Sequence, residues 1–182
     1  FPFKLTFCLT FWCNYRCQTC NIWKMKPRDE LRLDEIQRFF QRSPGFLWVD
    51  LTGGEVTLRK DFPEICEAVI DNCPDLPLLH FPTNGYLTDK VVDAVRAVTT
   101  RRSRRRGPEK LIVTVSTDGD EAMNDAIRGI EGGWRRQLET FRALRAMPGV
   151  DVVLGMTLSA ANVDHFPDAF AAARREVPDL RA

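Results

Sequence analysis

Long apolar runs are missing from this chain, and none approaches the ~20 residues of a membrane-spanning helix. Net charge is nearly absent too. With 26 basic and 25 acidic residues the formal charge is +1, so no global field recruits nucleic acid or an anionic surface. The opening Phe1-Pro-Phe-Lys-Leu5 has neither the apolar stretch nor the small-residue cleavage site of a signal peptide. It also lacks an initiator methionine, which suggests a trimmed N-terminus. No internal repeat is found. Without a secretory signal or a short loop-rich chain, the six cysteines do not read as a disulfide framework, and reduced thiols in a cytoplasmic protein are expected. The rest is ordinary: 44% hydrophobic and 28% charged residues over 182 positions suit one soluble domain, 1–182, with a substantial core.

A second absence is more pointed. The stretch Phe11–Trp23 holds Cys13, Cys17 and Cys20, and no fourth cysteine or histidine follows nearby. Thiolates select soft or borderline metals. Structural zinc normally has four ligands, as two CxxC-like pairs or a cysteine pair with a histidine pair. A cubane iron–sulfur cluster held by three cysteines instead leaves one iron open to another ligand. At this level a zinc- or cluster-stabilised binding or scaffold protein and a cluster enzyme both remain open. Of the other thiols, Cys8 falls in a predicted strand, and Cys66 and Cys73 fall in a predicted helix as small apolar residues.

Five apolar or alternating runs, Leu5–Phe11, Leu47–Leu51, Leu76–Phe81, Leu111–Ser116 and Val150–Leu158, read as strands. Helices are expected between them. The first starts near Asp34, presents Ile36, Phe39 and Phe40, and stops before Pro44-Gly45. The second starts at Asp61, with Glu64 completing a capping box and Pro63 in the first turn. The third starts at Thr88 with Val91, Val92 and Val95. The fourth follows Gly132-Gly133 with Leu138, Phe141 and Leu144. The fifth starts near Asp164 with Phe166 and Phe170 facing inward. The Arg-rich run Arg101–Arg106 is expected in a solvated loop before the fourth strand.

This alternation predicts parallel strands joined by crossover helices. Both a doubly wound sheet and a β/α barrel satisfy it, and the alternate residues favour the barrel. One set is apolar: Leu5, Phe7, Leu9; Leu47, Val49, Leu51; Leu111, Val113, Val115. The other is polar: Thr6, Cys8, Thr10; Asp50, Thr52; His80; Thr114, Ser116, Asp118; Asp151, Thr157, Ser159. A sheet sandwiched by helices would be apolar on both faces, so a polar face implies a barrel wall. The expected fold is α/β, a partial (β/α)6 TIM-like barrel of parallel strands, truncated before the last strand.

Four segments then fall at predicted strand ends: the cysteine loop, Thr52-Gly53-Gly54-Glu55, Pro82-Thr83-Asn84-Gly85, and Val115–Gly119 with Asn124–Gly129 downstream. Together, in this order, they resemble the radical S-adenosylmethionine (radical SAM) enzymes along nearly the whole chain. The resemblance implies a [4Fe-4S] cluster on Cys13, Cys17 and Cys20, its open iron chelated by the methionine end of S-adenosylmethionine. It puts Gly53, Gly54 and Glu55 around the methionine amino group. Thr83, Ser116 and Arg128 lie near its carboxylate, and Asp118 near the ribose. It implies reductive cleavage to a 5′-deoxyadenosyl radical that abstracts hydrogen from a peptide or small-molecule substrate, with an electron donor such as flavodoxin or ferredoxin. Two positions depart from the family pattern. Thr19 stands where many members have an aromatic residue, and Val56 stands where proline often follows GGE. Ile22-Trp23 is the expected substitute adenine contact. Trp12, Tyr15 and Trp23 are candidates to shield the cluster. Cys8 and Asp50 are candidates for the substrate side, and His80 for a satisfied interior histidine.

Overall fold

Strands β1 (Lys4–Thr10), β2 (Trp48–Gly53), β3 (Leu78–Thr83), β4 (Lys110–Ser116) and β5 (Asp151–Gly155) form one sheet in strict sequence order. Every neighbouring pair is parallel. The computed structural model describes residues 3–104 and 108–181. A doubly wound sheet reverses strand order at a switch point. Here the order never reverses, so crossovers of one hand stack all the helices on one side, as in a barrel wall. The sheet is therefore an open, TIM-like arc of five strands.

The apolar set faces those helices. Val49, Leu51, Leu79, Phe81, Val113 and Val115 are fully buried, and Phe62 meets Phe81 edge-on at 5.0 Å. Leu47, read with this set, precedes β2 and is exposed. Helix α1 (Leu33–Arg42) buries Ile36 and Phe40 and ends at Arg42, two residues before Pro44. Helix α2 (Phe62–Asn72) has Pro63 in its first turn, yet the expected capping box is absent: the Asp61 carboxylate is held by Arg59 at 2.7 Å and caps nothing. Cys66 and Cys73 are buried in the core, and all six cysteines are free thiols.

Helix α3 (Thr88–Arg104) runs further than expected. It absorbs the start of the arginine run, where Arg101 donates to Asp71, and positions 105–106 lie outside the described residues. A helix absent from the sequence reading, α4 (Glu121–Arg128), is capped by the Asp120 side chain and closed by left-handed Gly129. Helix α5 (Gly133–Arg145) buries Leu138, Phe141 and Leu144 as expected. Helix α6 (Phe166–Glu176) corrects another expectation, because Phe166 is exposed and stacks on Phe170. β3 is shifted two residues along, ending at Thr83, and β5 ends at Gly155. Thr157 and Ser159 therefore lie in the following loop. Among the described residues no helix is long and apolar enough to cross a membrane.

Candidate metal and cofactor site at the strand ends

The loop bearing Cys13, Cys17 and Cys20 leaves β1 at the carboxyl end of the sheet, where parallel β/α folds build their sites. Main-chain bonds hold it on two sides. Gly54 N donates to Thr10 O and Glu55 N to Trp12 O, both at 2.7 Å, which ties it to the end of β2. Arg16 N donates to Arg128 O at 3.2 Å and Gln18 N to Ile127 O at 2.8 Å, which ties it to the orphan carbonyls ending α4. The Gln18 side chain adds a bond to Ala126 O. At the loop entrance, Glu30 accepts from the Thr10 hydroxyl and from Phe11 N, each at 2.8 Å.

These contacts explain the paired glycines. Gly53 has φ +141°, a backbone conformation that favours glycine. A Cβ on Gly54 would collide with the Trp12 carbonyl, and one on Gly53 with the Thr10 carbonyl. The two glycines let β2 press against the cysteine loop, whatever else they approach.

Glu55 is 2% exposed and accepts four hydrogen bonds. Oε1 receives Thr57 N at 3.2 Å, the Thr57 hydroxyl at 2.6 Å and the Thr83 hydroxyl at 2.9 Å; Oε2 receives Asn84 N at 2.6 Å. Burial still pushes its carboxyl pKa up despite these donors. Glu55 and Thr83 therefore meet directly and lock the ends of β2 and β3 together.

Across the sheet, Asp118 is 1% exposed and joins three elements. Its carboxylate accepts from Arg128 Nη1 at 2.7 Å and from Thr157 N at 3.0 Å, and its main chain bonds Asn124 and Asn162. Arg128 is 7% exposed, with its guanidinium 5.2 Å from the Tyr15 ring centre. Ser116 ends β4, half-buried. The structure thus brings Glu55 to Thr83 and Arg128 to Asp118, each pair beside the cysteine loop.

Cys13 and Cys17 are half-buried and Cys20 is exposed. Burial pushes the thiol pKa of Cys13 and Cys17 up, and the Arg128 charge works against that rise at both. No three histidine, cysteine or carboxylate side chains among the described residues converge closely enough to share one metal ion. Three thiols on one loop are a donor set that suits soft or borderline metals, an iron–sulfur cluster among them. Arg128 Nε is buried without a hydrogen-bond partner, an unused donor beside this loop that fits an added carboxylate.

Of the aromatic residues, Tyr15 is buried, meeting Tyr86 edge-on, whereas Trp12 is 62% exposed. Trp23 donates its indole N–H to Cys17 O at 3.2 Å. Below the strand ends, on the face the helices leave uncovered, His80 Nδ1 meets Asp50 at 2.7 Å and Nε2 meets the Thr114 hydroxyl at 2.9 Å. His80 is thus a satisfied histidine on the concave wall. Sequence reasoning missed Asn84, Asn124 and Asn162, all buried and bonded at the site. Asn84 and Asn162 bond partners far along the chain, Asn14 and Asp118, whereas Asn124 bonds the nearby Asp118 and Asp125; the Thr-Asn-Gly and Asn124–Gly129 segments hinted at Asn84 and Asn124.

An open arc of parallel strands with a three-thiol loop docked at its carboxyl end marks a candidate metal and cofactor site of the β/α-barrel class. The chain belongs to the radical SAM superfamily, whose family model matches residues 7–171. It is 26% identical to the sporulation killing factor maturation protein SkfB of Bacillus subtilis, over 92% of this chain and 38% of that protein. It is 28% identical to the mycofactocin maturase MftC of Mycolicibacterium smegmatis, over 99% of this chain and 44% of that protein. The chain thus spans about two fifths of the length of these relatives. Among solved structures, Streptococcus suis SuiB bound to S-adenosylmethionine superposes with a TM-score of 0.72 at 15% identity, covering 97% of this chain and 39% of SuiB.

Proposed function

We propose that this chain is the core of an enzyme that cleaves S-adenosylmethionine reductively, and that Cys13, Cys17 and Cys20 hold a [4Fe-4S] cluster for that purpose. The observation that carries the reading is the docking of a three-thiol loop, by main-chain bonds, between the Gly-Gly-Glu end of β2 and the end of α4. When bound, cluster and cofactor supply a 5′-deoxyadenosyl radical that takes a hydrogen atom from the substrate. The chain's own residues bind and orient. Gly53 and Gly54 keep the β2 end free of side chains where the methionine amino group binds. Glu55 and Thr83 hold the adjoining strand ends in register, supporting the backbone where that ammonium would bind. Arg128, steered by Asp118, offers its free Nε–H to the methionine carboxylate, beside Ser116. Following the family pattern, Asp118 would serve the ribose side and Ile22-Trp23 the adenine side. An electron donor such as flavodoxin or ferredoxin reaches the cluster from the side where Cys20 is exposed.

The substrate we assign is a peptide. Two relatives that match more than nine tenths of this chain are both named for maturation. A second SuiB structure is described as bound to a precursor peptide, SuiA, with a TM-score of 0.66 at 16% identity. The Klebsiella pneumoniae GTP 3′,8-cyclase, a small-molecule enzyme by name, is 37% identical but over only 52% of this chain and 30% of its own length. Anaerobic reconstitution tests the core reading. Bound iron and sulfide, an electron paramagnetic resonance signal perturbed by S-adenosylmethionine, and 5′-deoxyadenosine formed under reduction are expected. A colourless protein that binds zinc and cleaves no cofactor would overturn it.

A further inference from the structure

Asn84 follows Thr83 at the end of β3 and is 6% exposed. Its orientation is determined by its neighbours. The main-chain N–H donates to Glu55 Oε2 at 2.6 Å, and Oδ1 accepts from Tyr86 N at 3.1 Å. With Oδ1 so committed, Nδ2 must point the other way, toward the cysteine loop. One of its protons goes to Asn14 Oδ1 at 2.7 Å. The Cys13 sulfur lies 3.9 Å from the same nitrogen, within reach of an N–H···S contact.

We propose that Asn84 is a positioning residue for Cys13, its side-chain amide donating to that sulfur and raising the reduction potential of the cluster the cysteine holds. The inference rests on the cluster assignment above. Its physical basis is that hydrogen bonds to cluster sulfurs stabilise the more negative, reduced state. Burial strengthens the effect, because a dipole aimed at charge acts more strongly in a low-dielectric setting. The anchor is rigid: Glu55 holds the backbone, Tyr86 holds the amide oxygen, and neither bond depends on a metal.

The test uses the full-length reconstituted protein with the variants Asn84→Asp and Asn84→Leu. Asn84→Asp keeps the shape and the oxygen facing Tyr86 but replaces the donor at Cys13 with an acceptor. Iron and sulfide per chain are measured first, then the reduced cluster is followed by electron paramagnetic resonance during a redox titration. At the wild-type midpoint, the ratio of reduced to oxidised cluster should fall about tenfold for Asn84→Asp, about 59 mV for one electron. It should fall about threefold for Asn84→Leu. A ratio within twofold of wild type in fully loaded variants overturns the proposal. If Asn84→Asp fails to load, Asn84→Leu decides. Failure of both to load, with normal thermal unfolding, also overturns it, since a tuning contact leaves assembly intact. Absence of iron and sulfide in the wild type would instead remove the cluster assignment itself.

Discussion

Glu55 and Asn84 are joined by a 2.6 Å hydrogen bond, the Asn84 main-chain N–H donating to Glu55 Oε2. With the Thr57 and Thr83 donors, it surrounds the carboxylate with donated protons, two of them from main-chain N–H groups that cannot accept. Glu55→Gln places an amide N–H₂ against at least one of these donors and should cost about 1–3 kcal/mol. The pH dependence has a definite sign. Burial raises the Glu55 pKa in the folded state, so the native protein binds this proton before the unfolded chain does. The stability Glu55 contributes is fully present below its unfolded pKa and is lost as pH rises through the folded value. The penalty of Glu55→Gln should therefore be larger at pH 5 than at pH 7.5 in urea unfolding; a smaller penalty at pH 5 contradicts this.

Gly54→Ala puts a methyl group into the Trp12 carbonyl, which is main chain and cannot rotate away. The bonds from Gly54 and Glu55 to the cysteine loop must then lengthen or break. The expected result is a folded protein that takes up less than half the wild-type iron, destabilised by about 1–3 kcal/mol. Calorimetry and iron analysis together check it.

Arg128 and Asp118 form a buried pair, with side chains 9% and 2% exposed. Arg128→Met strands the Asp118 charge and should cost about 3–5 kcal/mol. Pairing it with Asp118→Asn should restore most of that stability without restoring the spectral change on adding S-adenosylmethionine. Recovery of the spectral change in the double variant would show that Arg128 serves the fold alone.

His80 sits three residues before Thr83 on β3, about 10 Å below the strand end at the usual rise per residue. Its replacement by leucine leaves Asp50 and Thr114 without their shared partner, at a cost of about 1–3 kcal/mol. Cluster loading and 5′-deoxyadenosine formation without substrate should match wild type. A fall in either would place His80 in the cofactor site.

Alanine in place of any of Cys13, Cys17 or Cys20 should abolish both the cluster signal and 5′-deoxyadenosine formation. Unchanged turnover in any one of them would refute that ligand.

The strands were legible because β1, β2 and β4 alternate cleanly, so Phe7, Val49 and Val113 announce the covered face and Thr6, Asp50 and Thr114 the open one. The cysteine loop was legible from its thiol spacing and its neighbouring turn motifs. What could not be read depends on contacts distant along the chain. Glu55 finds Thr83 and Asn84 across 28 and 29 residues, and Asp118 finds Thr157 across 39. Helix α4 escaped because it is only eight residues long, with an apolar stripe reduced to little more than Ile127. Phe166 was misplaced because position on a helix face does not say whether the neighbouring surface is filled.

Arg16 and Gln18 are fastened to α4 through their backbone N–H groups, which every residue but proline possesses. Between the thiols, the main chain thus carries part of the loop's support, and the side chains of Asn14, Tyr15 and Gln18 carry the rest. Exposed positions such as Arg16 and Thr19 can vary without disturbing that support. Thr19, set where relatives often place an aromatic ring, is one substitution of the kind this latitude permits.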